Sequence, residues 1–200
     1  MNKMEMQGFI DGLIEQNVEF AMLLMDVDFM SKINQDYGRD AGDAVLHLLE
    51  NQADAMFLAT CTTFREVDHF EIILPGYGKE TAFLAAENLR KAIADVVWDF
   101  TCADGVPLRQ TVSIGVATYP EDGSRAADIF RRANGAMMRA KKAGRNQVAL
   151  AREEKLAPKT SHYTQTQLEQ LSELSEKIGV GEAALLREAL DELLRKYDTD

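Results

Sequence analysis

A mixed β-sheet with helices packed on it, in the α/β or α+β class, is the fold this sequence predicts. Three observations carry that reading. Helical and strand-like segments interleave along the first 150 residues. Two of the strand-like segments are joined only by a tight connection at Arg65–Val67, so one pair is a direct hairpin. The other strands are separated by helix-length segments, which is how a sheet acquires helical layers. The chain has 200 residues, 46% hydrophobic and 28% charged, which leaves room for one or two domains and a sizeable core.

Residues 8–17 place Phe9, Ile10, Leu13 and Ile14 at helical spacing. FAMLLMDVD reads as a buried strand that ends in acid. A short helix follows from Met30 to Gly38, and GRDAGDAVLHLLENQADA makes a second, with Ala41, Val45, Leu48 and Leu49 on one side. Residues 56–64 and 68–74 read as the hairpin strands, stopped by Pro75-Gly76. GKETAFLAAENLRKAIADVVWDF is expected as one long helix, and ADGVP as a turn. LRQTVSIGVATYP is a strand rich in β-branched residues. A helix closed by Gly144 comes next, then NQVAL as a last short strand.

After Leu150 the pattern changes. AREEKLAPKTS has charge, one proline and no apolar period, so the first domain is placed at 1–152 and a linker at 153–160. Residues 161–200 form a small unit of two amphipathic helices. Leu168, Leu171, Leu174 and Ile178 make one stripe; Leu186, Ala189, Leu190, Leu193 and Tyr197 make the other. About forty residues cannot bury two such stripes alone, so the unit is expected to dimerise or dock.

The net charge is −11, with 22 basic against 33 acidic side chains. Residues 1–150 carry 15 basic and 22 acidic groups, and residues 151–200 carry 7 and 11. Neither part is basic, which disfavours a protein that holds nucleic acid or anionic membrane over its whole surface. Any nucleotide site has to be local. Cys61 and Cys102 lie far apart with no CxxC spacing, so neither a disulfide framework nor a zinc site is expected and a reducing cytoplasm fits. The longest apolar run, Phe20 to Met25, is too short to span a membrane, and the N-terminus does not read as a signal peptide.

Four constellations could carry chemistry. Asp26 and Asp28 alternate to one face at a strand end, an arrangement suited to Mg²⁺, though such acids also cap helices. Asp68, in the hairpin connection, is either a third carboxylate beside them or a turn aspartate. Lys141 and Arg145 could grip a polyphosphate, or complement a helix dipole. Asn34 and Asp43 flank a short loop; an aspartate can accept from the N1–H and 2-amino groups of guanine, but these are also loop and capping residues.

In their order, DVDFMSKINQDYGRDAGDAVL, FREVDHFEIILPG, TVSIGVATYP and MMRAKKAGRNQV resemble the successive blocks of the GGDEF domain, over roughly residues 8–150. The resemblance implies a palm-like mixed sheet related to nucleotidyl cyclases. It also implies the activity of a diguanylate cyclase, in which two GTP-loaded domains meet and make cyclic di-GMP with Mg²⁺. On that resemblance Asp26 and the Val27 carbonyl match metal ligands, Asn34 and Asp43 match guanine contacts, Lys141 and Arg145 match triphosphate contacts, and Asp68 matches an acidic metal and catalytic position.

The departures from the family pattern are informative. The signature reads Glu66-Val67-Asp68-His69-Phe70, with both glycines lost and His69 in place of a glutamate. Glycine there lets the backbone approach a nucleotide, whereas Val67 is bulky and Glu66 adds charge. Ser31 stands where the family carries a lysine, and Phe57-Leu58-Ala59-Thr60 replaces the product-binding RxxD. The expectation is therefore a cytoplasmic regulatory domain that is catalytically inactive yet binds GTP or a related guanine nucleotide, with Mg²⁺ if nucleotide is bound. An active cyclase is the first alternative.

Residues 161–200 resemble a ribbon-helix-helix unit, with a short strand at Ser161–Thr164, a helix, a turn at Gly179-Val180 and a second helix. That resemblance implies a homodimer whose paired strands can enter DNA. Gly181-Glu182-Ala183 puts an acid where DNA phosphate would dock, which favours dimerisation. The second alternative is a DNA-binding regulator modulated by the first domain.

Overall fold

The computed structural model describes residues 3–57, 61–66, 69–101, 105–153 and 157–197, the side chains of Lys3, Glu66 and Arg195 excepted. The elements run α1 (Lys3–Glu15), β1 (Phe20–Val27), α2 (Met30–Tyr37), α3 (Arg39–Phe57), β2 (Thr62–Glu66), β3 (His69–Pro75), α4 (Lys79–Ala94), β4 (Val112–Tyr119), α5 (Ala126–Lys142), β5 (Val148–Leu150), α6 (Gln165–Ile178) and α7 (Glu182–Tyr197). They fall into two compact units, 1–152 and 153–199.

The first unit is a five-stranded mixed sheet in the order β2-β3-β1-β4-β5. β1 lies at the centre, antiparallel to both β3 and β4. β4 and β5 are parallel, which a short turn cannot achieve, and α5 makes the crossover. Every residue of β1 and of β4 is buried, because helices cover both faces of the sheet. Strand alternation sorts the side chains. Ala21, Leu23, Met25 and Val27 join the core with residues of α2, α3 and α4. Phe20, Met22 and Leu24 join the opposite core with Met6 and Ile10 of α1 and Ile129, Ala133 and Met137 of α5. Gly115 lets α5 settle on β4: a Cβ there would strike the Ala133 carbonyl oxygen and the Met137 backbone nitrogen, neither of which can turn aside.

Several boundaries differ from the sequence reading. Met56 and Phe57 belong to α3 and not to a strand, because Leu49, Ala53 and Phe57 continue one buried helical stripe. The helix after Gly78 stops at Ala94, just before the β-branched Val96-Val97 pair, and Trp98 reaches the core from irregular backbone. α1 starts five residues earlier than its apolar spacing indicates, and Met6 adds to its buried face.

In the second unit a capping box starts α6: the Gln167 N–H donates to Thr164 Oγ1 and the Thr164 N–H to Gln167 Oε1. Gly179, at φ +68°, ends the helix in the left-handed region. No residue of α6 is buried, and Leu190, Leu193 and Leu194 of α7 are exposed. The strand expected at Ser161–Thr164 does not form within one chain. A strand needs a partner for its backbone hydrogen bonds, and the segment has none assigned in the single chain.

Candidate functional site

Asp26 continues the Phe20, Met22, Leu24 side of β1 and so points toward α5. The α5 stripe that packs there through Ala133 and Met137 extends one turn on to Lys141. Lys141 Nζ lies 2.7 Å from Asp26 Oδ1, with the two side chains 8% and 1% exposed. His69 is the register partner of Asp26 on β3, so its ring lies on the same side of the sheet. His69 Nε2 lies 3.1 Å from Asp26 Oδ2. Each oxygen of this buried carboxylate therefore has a protein nitrogen beside it, the Lys141 contact being an ion pair outside hydrogen-bond geometry.

Asp28 behaves differently from the paired-acid expectation. It sits beyond the end of β1 and serves as a structural knot. Its carboxylate accepts from Thr111 Oγ1 at 2.7 Å, Ser113 Oγ at 2.7 Å and the Asn146 backbone N–H at 3.0 Å. Its carbonyl accepts from Gln110 Nε2, and its own N–H donates to the Thr111 carbonyl. Thr111 and Ser113 alternate to one face of the run into β4, and β4 is antiparallel to β1; that spacing is the signal from which they could have been found.

The Asn146 contact orders the end of α5. Gly144, Arg145 and Asn146 have φ of +119°, +63° and +47°. Such a left-handed run is costly for arginine, so it must be held from outside. Asp28 holds the Asn146 backbone, and Arg90 donates to Asn146 Oδ1 at 2.8 Å. Arg90 is held in turn by Glu87, whose carboxyl the guanidinium keeps below the usual carboxylate range, with burial opposing in part. The turn sets the Arg145 guanidinium 4.3 Å from the centre of the Phe29 ring. Lys141 and Arg145 are thus brought to the same end of the sheet as Asp26.

Asn34 on α2 and Asp43 on α3 are both exposed. Gly42, the neighbour of Asp43 in α3, packs against Asn34: a Cβ on it would collide with Asn34 Oδ1 and crowd the Met30 methyl. The residue beside Asp43 thus lies directly against the Asn34 amide. His47 Nδ1 donates to the Asp43 carbonyl at 2.8 Å within α3. Val27, the last residue of β1, is fully buried, as is Phe70 on β3. Glu66 closes β2 opposite His69. Val67 and Asp68 lie outside the described residues, as do Leu58, Ala59, Thr60 and Cys102.

The described residues do not by themselves complete a divalent-cation site, and Asp68 lies outside them. Among the described residues no three His, Cys, Asp or Glu side chains converge as a metal group would require. Asp28 is committed to two hydroxyls and an N–H, and Asp26 lies between an ammonium and an imidazole. Mg²⁺ requires several oxygen ligands in a near-octahedral set. No helix among the described residues is long and apolar enough to cross a membrane.

A mixed sheet with an acid at the end of its central strand, an Asn/Asp pair across two helices and a Lys/Arg pair at a helix end defines a nucleotidyl-cyclase-like domain. The family follows from comparison: residues 2–147 match the family described as diguanylate cyclase, GGDEF domain, and the chain belongs to it. Residues 156–198 match the ribbon-helix-helix domain. The chain is similar to Diguanylate cyclase A of Treponema denticola, 31% identical over 69% of this chain and 37% of that one. It is 36% identical to Diguanylate cyclase DgcM of Escherichia coli over 66% of this chain and 31% of that one. The chain thus spans about a third of the length of these curated relatives. Among solved structures, the GGDEF domain of YfiN or TpbB from Pseudomonas aeruginosa superposes with a TM-score of 0.69 at 25% identity, covering 77% of this chain and 98% of that one.

Proposed function

We propose that the first unit is a degenerate GGDEF domain that binds a guanine nucleotide without turning it over, and that the second unit joins two chains. The observation that carries the first part is the state of Asp26. In the family this position is a metal ligand; here His69, which stands where the family has a glutamate, and Lys141 both lie against it. Removal of one preorganised electrostatic group from an active site typically costs about 10²–10³ in rate. Here the metal carboxylate is engaged and the signature glycines are replaced together.

Recognition of the base is supported by Asn34 and Asp43, both exposed, with Gly42 beside Asp43 packed against the Asn34 amide. The aspartate can accept two guanine N–H groups while the asparagine amide offers both a donor and an acceptor. Pairing of two chains is supported by the uncovered leucines of α6 and α7 and by the 161–164 segment, which forms no strand in the single chain. Glu182 in the first turn of α7 supports dimerisation over DNA contact, since it sets a carboxylate where a phosphate would need the helix N–H groups.

Incubation of the full chain with GTP and Mg²⁺, followed by chromatography, tests the reading. No cyclic di-GMP above the protein-free background is expected, while a fluorescent guanine nucleotide binds and is displaced by unlabelled GTP. Cyclic di-GMP formed at a rate typical of the family overturns the inactive reading. A flat titration overturns the nucleotide reading.

A further inference from the structure

We propose that Phe29 is a positioning residue for Arg145: its ring orders the guanidinium by stacking, so that the N–H edge of Arg145 is ready for a phosphate of the bound nucleotide. This rests on the guanine-nucleotide reading and names a further residue of that site. Phe29 stands at the turn from β1 into α2 with φ +58° and ψ +38°, in the left-handed region. That backbone is a marked outlier for a bulky side chain, and such outliers gather at functional sites. Its neighbours Met30 and Ile33 are buried, whereas Phe29 is 51% exposed, so burial does not account for an aromatic here. Helix capping does not account for it either, since Phe29 is the N-cap of α2 and no side-chain cap bond forms. The ring meets Arg145, whose Cζ lies 4.3 Å from its centroid. Arg145 is left-handed as well, at φ +63°, in the turn that Asp28 and Arg90 hold through Asn146. Two left-handed turns, just beyond the ends of β1 and α5, are thus set so that a ring and a guanidinium come together.

An aromatic ring and a phosphate use different parts of a guanidinium. The ring attracts the face of the planar group, while the N–H donors lie in its plane. Stacking therefore orders the group and leaves its edge to hydrogen bonding, the geometry by which arginine holds phosphate bidentately. A flexible arginine loses rotamer freedom when it closes on a ligand. One that is ordered beforehand loses less, so the ligand binds more tightly without any new contact. On the family resemblance Arg145 matches a triphosphate contact. The effect of Phe29 then belongs to the phosphate part of binding and is absent for a ligand without phosphate. Two cations, Lys32 and Arg109, and two acids, Asp28 and Asp36, line the cleft beside Phe29. Their charges act on a phosphate whether or not residue 29 is aromatic, so a change of that ring alone leaves them constant.

Calorimetric titration of the full chain with GTP and with guanosine, in one Mg²⁺ buffer, tests this. The parent should bind GTP more tightly than guanosine. Phe29→Leu keeps an apolar side chain and removes the ring. It should weaken GTP binding about fivefold, the scale of an exposed cation–π contact, and change guanosine binding by less than about twofold. Phe29→Tyr restores a ring and should return GTP affinity to within about twofold of the parent. Arg145→Ala should remove most of the preference for GTP, and Phe29→Leu added to it should cost nothing further, because the two residues act as one unit. Phe29→Met takes the place of Phe29→Leu if the latter does not melt cooperatively. Equal binding of GTP and guanosine by the parent, equal losses for both in Phe29→Leu, or an unchanged or raised GTP affinity in that variant overturns this inference and leaves the guanine-nucleotide reading standing. So does a loss that Phe29→Tyr fails to repair or that persists without Arg145. Binding of neither ligand by the well-folded parent overturns both.

Discussion

Leu49 and Leu190 are both leucines on helical stripes, yet the first is 0% exposed and the second 52%. The difference holds across the two units. In residues 1–152, both faces of the sheet are covered, and even the acids at the end of β1 have partners inside the unit. In residues 153–199, no side chain of α6 is buried, although its ends are well formed by the Thr164 capping box and Gly179. The first unit is complete in one chain. The second has local order without a core, and local hydrogen bonds contribute too little to hold two short helices together in water. Its apolar surface is what the proposed second copy would cover, whereas the described residues of the first unit's site find their partners within that unit.

The largest effect is expected where this contrast is sharpest. Leu190→Glu in the full chain places a carboxylate on the exposed stripe of α7. In a dimer it would be buried without a counter-charge, at a cost of several kcal/mol. The dissociation constant should rise by at least about 10³-fold. Sedimentation is expected to show a monomer for the variant and a dimer for the parent, with the melting of the first unit unchanged. An unaltered dimer would break the comparison, since the stripe would not be the contact.

A smaller loss is expected from within the saturated unit. Asp28→Ala strips the acceptor from Thr111 Oγ1, Ser113 Oγ and the Asn146 N–H. Leaving buried donors unsatisfied costs about 1–3 kcal/mol each, offset where water enters, so a total near 3 kcal/mol is expected. For a unit of this size that is roughly 6–12 °C in Tm. Asp28→Asn should recover part of it, because an amide oxygen still accepts. The loss should be the same in Mg²⁺ and EDTA, in keeping with a structural knot; a loss seen only with Mg²⁺ would restore Asp28 to the metal-pair role.

The fold was legible because its signals are local. Interleaved helices and strands, the one direct hairpin, and the Gly144 stop each follow from residue spacing or glycine chemistry. What was not legible depends on pairing between distant strands. Asp26 and Asp28 look alike in DVD, and only the β1–β4 register and the crossover through α5 give one an ammonium and the other two hydroxyls. His69 reads as a defective metal position in the sequence, but the β1–β3 register makes it the direct neighbour of Asp26. Arg90 gave no sequence signal at all, since its bond to Asn146 joins residues of two elements that meet only in the folded sheet. The Ser161–Thr164 strand does not form in the single chain, and on the dimer reading proposed above its pairing partner would come from a second copy.

The smallest effect separates charge from packing at the Arg145 turn. Arg90 donates to Glu87 from both Nε and Nη2 while also reaching Asn146. This guanidinium, chiefly through those hydrogen bonds, lowers the Glu87 pKa, with burial opposing. A carboxyl whose folded pKa is depressed binds fewer protons folded than unfolded. Its contribution to stability is therefore present above the unfolded value near ~4.3 and is lost as the pH falls through the lower folded value. Glu87→Gln keeps the shape and removes the charge. At pH 7 the variant should be less stable by no more than about 1 kcal/mol, the usual limit for a partly exposed pair. The gap should close as the pH drops below the ordinary carboxylate range, when the parent's Glu87 is also neutral. A gap of equal size at both pH values would mean that the amide disturbs packing, and that the charge on Glu87 contributes nothing to holding the turn.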